Sequence, residues 1–139
     1  MARKTKSVPV KKKPKPRQGL ERPFNGNTWT TARFYQFIRS SLRRSSSRWG
    51  PCFAALKDAE VGKQINAKSG RIAMHYRCAS CGNAFARKDV EIDHIAEVGS
   101  LKHYDDLPGF VQRLFCEKEG FQILCRENCH HKKTHVSKT

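Results

Sequence analysis

Of 139 residues only 37% are apolar, and 28 Lys/Arg against 12 Asp/Glu leave a formal net charge of +16. A chain of this size holds one small domain with at most an appended arm, and so few apolar side chains exclude a large self-sufficient core. The charge points to a polyanionic partner, above all nucleic acid, and no apolar run approaches the length of a membrane span.

The charge is unevenly spread. Residues 1–48 carry 14 Lys/Arg and one acid, Glu21, whereas residues 49–139 carry 14 Lys/Arg against 11 acids. Residues 1–27, with basic clusters and Pro9, Pro14, Pro16 and Pro23, read as a flexible basic arm that follows a polyanion. The Lys11-Lys12-Lys13-Pro14-Lys15 run imitates a nuclear-localisation signal, a pattern common in DNA-binding tails. Six cysteines without a signal-peptide pattern are expected to be reduced or metal-bound, in a cytoplasmic protein.

From Thr28 the pattern changes, and residues 28–73 read as a helical extension. Phe34, Ile38 and Leu42 recur every four residues with Phe37 beside them, which predicts an amphipathic helix capped by Thr30 or Thr31. Arg33, Arg39, Arg43, Arg44 and Arg48 surround that stripe, and no acid lies between Thr28 and Pro51. These arginines are expected to contact a DNA backbone. A second helix is predicted over Cys52–Val61 with Phe53, Leu56 and Ala59 inward, followed by a polar connector over 62–71.

A strand over Met74–Arg77 is expected to lead into Cys78. Gly82 would then permit the positive φ of a zinc-knuckle turn. Val90-Glu91-Ile92-Asp93-His94-Ile95 alternates apolar and polar side chains as a half-buried strand does. After a loop over 96–109, a helix over Gly109–Cys116 would bury Phe110, Leu114 and Val111. Phe121–Leu124 reads as another strand, with a last helix from about Asn128.

Two chelating thiol pairs frame this region. Cys78-Ala79-Ser80-Cys81 and, more than forty residues later, Cys125-Arg126-Glu127-Asn128-Cys129 supply four soft ligands suited to one structural Zn²⁺. The second pair is one residue longer than usual, so His130 or His131 could replace Cys129. Cys52 and Cys116 have no neighbouring thiol in sequence and read as packed small residues. Asp93, His94 and His130 could hold a second, catalytic ion and activate water.

In this order, Glu91-Ile92-Asp93-His94-Ile95 and Leu124-Cys125 through Cys129-His130-x-x-Lys133-Thr134, with the first thiol pair, resemble zinc-binding HNH endonucleases of the phage type. The tract Leu107–Glu117 resembles phage members of that family as well. The resemblance covers about residues 74–135 and implies a small α+β fold in which a ββα-metal nuclease motif, residues 74–139, is clamped by zinc and preceded by the helices and the arm. It implies hydrolysis of phosphodiester bonds in double-stranded DNA, with His94 as general base and with Asp93 and His130 as ligands of a catalytic Mg²⁺ or another divalent ion. It also implies a bacterial host cytoplasm, no membrane, and phage packaging or replication proteins as partners.

One position departs from the family pattern. Its middle Asn, whose amide braces the loop carrying the base, is Gly120 here, with Gln122 and Asn128 as candidate substitutes. Lys132 and Lys133 are expected at phosphate. His131 and His135, four residues apart, form another candidate metal pair, and His75 and His103 read as ordinary satisfied residues. A noncatalytic zinc module that binds nucleic acid, or a junction-resolving nuclease, remains the alternative reading.

Overall fold

A computed structural model describes residues 19–136 of the chain. The first helix, α1, spans Thr31–Ser46, and the Thr30 side chain accepts the Arg33 N–H at 3.2 Å, as a cap should. Tyr35 is its only buried residue, with Phe34, Ile38 and Leu42 packed beside it. Phe37 does not belong to this stripe. It is 50% exposed and lies against Trp29, with ring centroids 5.2 Å apart.

Ahead of α1 the chain is already docked. Asn25, Gly26 and Asn27 all take positive φ in a tight turn that pairs Phe24 with Trp29, and Phe24 stacks on Phe34 at 4.1 Å. The last residues of the segment expected as a flexible arm, from Phe24 to Asn27, are thus held against α1, and the rest of that expectation falls largely on residues 1–18, which lie outside the described residues.

The second helix, α2, runs Gly50–Asp58, earlier than expected because Pro51 fits the first turn and Glu60 already pairs in a strand. Cys52 and Leu56 face inward, but Phe53 is 50% exposed, against expectation. Phe53 lies about 100° around the helix from Cys52, at the edge of the stripe that Cys52 and Leu56 bury.

The expected connector over 62–71 is largely a hairpin. Strand β1, Glu60–Ile65, pairs antiparallel with β2, Ile72–Arg77, and β2 pairs with β3, Ala84–Ala86. A separate antiparallel pair joins β4, Val90–His94, to β5, Phe121–Cys125, with Val90 opposite Cys125 and His94 opposite Phe121. Helix α3, Leu107–Leu114, lies in the connection between these strands and starts two residues early, with Pro108 in its first turn.

After β5 a π-helical turn, Arg126–His130, precedes α4, His131–Val136. The expected helix start near Asn128 is thus displaced to His131. A π turn accommodates one residue more than an α turn, which fits the longer second cysteine pair.

Two clusters hold these pieces together. Tyr35 from α1 meets Val98, Leu101 and the α3 residues Phe110 and Leu114. Leu56 and Tyr76 meet Val90 and Ile123, tying α2 and β2 to the β4–β5 pair. The protein is therefore a small α+β fold with antiparallel sheets. Among the described residues no helix is long and apolar enough to cross a membrane.

Candidate metal centre and catalytic cleft

The four thiols expected to share one ion do come together. The sulfurs of Cys78, Cys81, Cys125 and Cys129 all lie within 4.8 Å of one another. A tetrahedral zinc with bonds of about 2.3 Å needs sulfurs roughly 3.8 Å apart, so a small contraction completes the site. Cys78 and Cys81 stand on a turn in which Gly82, at φ +75°, donates its N–H to the Cys78 carbonyl at 3.0 Å. Cys125 ends β5, and the π turn carries Cys129 back so that its N–H reaches the Cys125 sulfur at 3.4 Å. The donor set fits a structural metal ion such as zinc.

Local dipoles divide the thiols. Burial opposes ionisation of Cys78, but backbone N–H groups of Cys81, Cys125 and Ser80 outweigh it and bring the thiol down to about 6. Burial, together with the neighbouring thiols of Cys129 and Cys78, pushes Cys125 up to about 11. Away from this group, burial raises both Cys52 and Cys116, which keeps them as protonated packing groups.

The cleft beside the β4 end holds about 450 Å³ and is lined by Arg43, Asp93, His94, Glu97, Val98, Gly99, Lys133 and Thr134. Asp93 and His94 leave a pleated strand on opposite sides, yet both reach the cleft because β4 ends at His94. His94 Nε2 lies 2.9 Å from the Leu114 carbonyl. A carbonyl can only accept, so Nε2 carries the proton and Nδ1 is the basic nitrogen of the neutral ring. The Phe121 ring, 4.7 Å away, packs against the imidazole.

Asp93 has two partners on one oxygen. Its Oδ2 accepts from Gln122 Nε2 at 2.9 Å and from the Lys133 ammonium, which also donates to the His94 carbonyl at 2.6 Å. Lys133, expected at phosphate, is thus turned onto the protein's own oxygens, while Lys132 is exposed. Gln122 holds the acid rather than the loop after the base. That loop is held by Gly120 itself, whose carbonyl accepts the Ile95 N–H at 2.9 Å. Asn128 lies exposed in the π turn.

His130, expected as the imidazole partner of Asp93, stands at the end of the π turn ahead of α4. Among the described residues the four thiols are the one group of three or more potential metal ligands in mutual reach, and His130 does not line the cleft. The oxygens around Lys133 suit a hard cation in kind, but Lys133 would have to withdraw before a divalent ion could share Asp93. His131 and His135 form an exposed pair with ring centroids 4.1 Å apart and planes tilted by 47°, and His75 is buried with Nδ1 2.9 Å from the Ala73 carbonyl. His103 is exposed and sits at the cap of the turn before α3.

Of the expected basic contacts, Arg43 reaches the cleft and holds its guanidinium 5.8 Å over the Phe110 ring. Arg33 lies over Trp29, Arg39 is half-buried, and Arg44 and Arg48 are exposed. Sequence reasoning missed Glu97, which stands in a loop without periodicity, and the Leu114 carbonyl, which no side-chain pattern can signal. No protein-family model, curated protein or solved structure matches the chain.

Proposed function

We propose that the chain is a metal-dependent DNA endonuclease of the HNH type, with β4, β5 and α4 as its ββα-metal motif and the four thiols as its structural zinc site. The reading is carried by His94. Its Nε2 is engaged by the Leu114 carbonyl at 2.9 Å, beside Asp93 in a cleft that also presents Arg43. A neutral imidazole held in one tautomer next to a carboxylate is what activation of a water nucleophile requires.

In this reading His94 Nδ1 takes the proton of the attacking water, and the Leu114 carbonyl keeps the ring from rotating. Asp93 would hold a divalent ion such as Mg²⁺ after Lys133 leaves the carboxylate, and His130, which stands outside the cleft lining, would have to turn in from the π turn to serve as its imidazole ligand. The ion, when bound, supplies charge stabilisation to the phosphorane and the leaving oxygen. Arg43 contacts a phosphate at the cleft, and Arg33, Arg39, Arg44, Arg48, Lys132 and the basic N-terminal segment add duplex affinity without reading sequence. A single such site in a monomer nicks one strand. A phage-encoded enzyme acting in a bacterial cytoplasm, alongside packaging or replication proteins, is the setting that the resemblance implies.

A noncatalytic zinc module that binds nucleic acid is favoured by one observation, the Lys133 ammonium already on Asp93. Supercoiled plasmid incubated with the protein and Mg²⁺ or Mn²⁺ separates the two. Nicking that is lost in His94→Ala supports the nuclease; retention of the plasmid on the protein without nicking supports the binding module.

A further inference from the structure

The outward face of α1 carries an aromatic pair that neither core uses. Phe37 is 50% exposed, and the Trp29 ring stands 5.2 Å from it at an interplanar angle of 58°. With Arg33, Gln36, Ser40 and Arg44 these rings line an open groove of about 350 Å³. Arg33 places its guanidinium 4.8 Å over the Trp29 ring. The groove's lining carries two arginines and no acid, and no acidic residue occurs from position 22 to position 57.

An exposed Phe37 beside the half-buried Trp29 ring, in a groove lined by arginines, suits an occupant that is both flat and anionic. A nucleotide is both. Base–aromatic stacking combined with a cationic groove is how proteins hold unpaired strands, because every base offers a π face and every linkage a charge. A paired base keeps its faces inside the duplex and has none to offer.

We propose that the Trp29–Phe37 groove is a binding site for an unpaired nucleobase of a DNA strand, with Phe37 as the stacking face and Arg33 and Arg44 at the flanking phosphates. The groove's position connects it to the cleft. Arg43, which lines the cleft, follows Phe37 by six residues on one helix, about 9 Å along its axis and about 120° around it, so groove and cleft open on neighbouring faces of α1. The inference rests on the nuclease reading for its link to the cleft and gives that reading a substrate class: DNA with a frayed, nicked or single-stranded stretch beside the cleaved phosphate.

The test uses the full-length protein without added divalent ion and compares an oligothymidylate with an abasic strand of the same length. Phosphates are equal in the two, so their affinity ratio reports base contact alone. The expected result is about tenfold tighter binding of the base-bearing strand, with tryptophan fluorescence quenched by it and not by the abasic strand. Phe37→Leu, which keeps apolar bulk against Trp29, should abolish the ratio and leave abasic affinity unchanged. Equal affinity of wild-type protein for both strands, or a ratio that survives Phe37→Leu, overturns the proposal. No cleavage is required, so failure here is distinguishable from failure of the nuclease assay.

Discussion

A Cβ on Gly120 would lie 2.5 Å from the sulfur of Cys116 and 3.0 Å from its Cβ. Cys116 is fixed from the other side, since its carbonyl accepts the Trp49 indole N–H at 2.7 Å. The absence of a side chain at 120 is therefore a packing requirement, and the position keeps a structural role through its carbonyl on the Ile95 N–H. Main chain thus holds the loop that follows His94.

Gly120→Asn should accordingly lower stability, by about 1–3 kcal/mol as overpacked sites do. Pairing it with Cys116→Ala removes the clashing sulfur and should recover most of the loss, a non-additivity expected of touching residues. Denaturant midpoints of the two single variants and the double variant measure this. A loss in Gly120→Asn that Cys116→Ala leaves unchanged would remove Cys116 as its cause.

Zinc should be bound in stoichiometric amount, and Cys78→Ser should cost most of the folding free energy, because binding and folding are coupled in such sites. The pH dependence has a definite sign. Above about 6 the Cys78 thiol has already lost its proton, and below about 6 it must lose one on binding. Zinc affinity should therefore fall more steeply with acidification below that pH, by one extra proton released per ion. Competition with a chromogenic chelator across pH 5–8 reads the slope; a slope constant through that window would place the thiolate elsewhere. In metal-free protein the depressed Cys78 value gives stability that is complete above the unfolded thiol's range and lost as pH falls through about 6.

Lys133 and a divalent ion should compete for Asp93. Both side chains are largely shielded, at 29% and 15% exposure, so Lys133→Met should destabilise the metal-free protein by roughly 1–3 kcal/mol. The same substitution should tighten Mn²⁺ binding, since the carboxylate then has no internal cation. Calorimetric titration of wild type and variant reads both effects. Weaker Mn²⁺ binding in Lys133→Met would mean that the lysine organises the site rather than guards it.

His94→Ala should reduce turnover by about 10²–10⁴-fold while leaving DNA and Mn²⁺ binding nearly intact, because a general base acts on water and does not hold the ion. Asp93→Ala should instead abolish Mn²⁺ binding at the cleft. His130→Ala should weaken it, and His131→Ala should not. Plasmid nicking paired with metal titration separates these roles; weakened Mn²⁺ binding in His131→Ala alone would transfer the ligand to that residue.

Local chemistry made part of this molecule legible in the sequence. The apolar repeat of Phe34, Ile38 and Leu42 and the Thr30 cap are properties of a single helix, and α1 follows them. Alternation in Val90–His94 and the apolar run Phe121–Leu124 mark strands without reference to the rest of the chain, as β4 and β5 bear out. Chelate spacing within each cysteine pair signalled the four-thiol cluster, which the structure assembles across more than forty residues.

Tertiary packing decided the remainder. The outer half of β1 is exposed, so no burial period distinguished it from a connector; only its pairing with β2 makes it a strand. Phe24 has no local reason to be ordered until Phe34 stacks on it. Lys133 reaches Asp93 across 40 positions and His94 reaches a carbonyl 20 positions away, so neither contact has a sequence period to reveal it. The extra residue between Cys125 and Cys129 was visible as a count, but its absorption in a π turn follows from holding both sulfurs at one centre while α4 starts at His131. Residue types and spacing thus specified which chemistry was available, and long-range contacts, which carry the loop-closure cost of bringing distant segments together, set which groups meet.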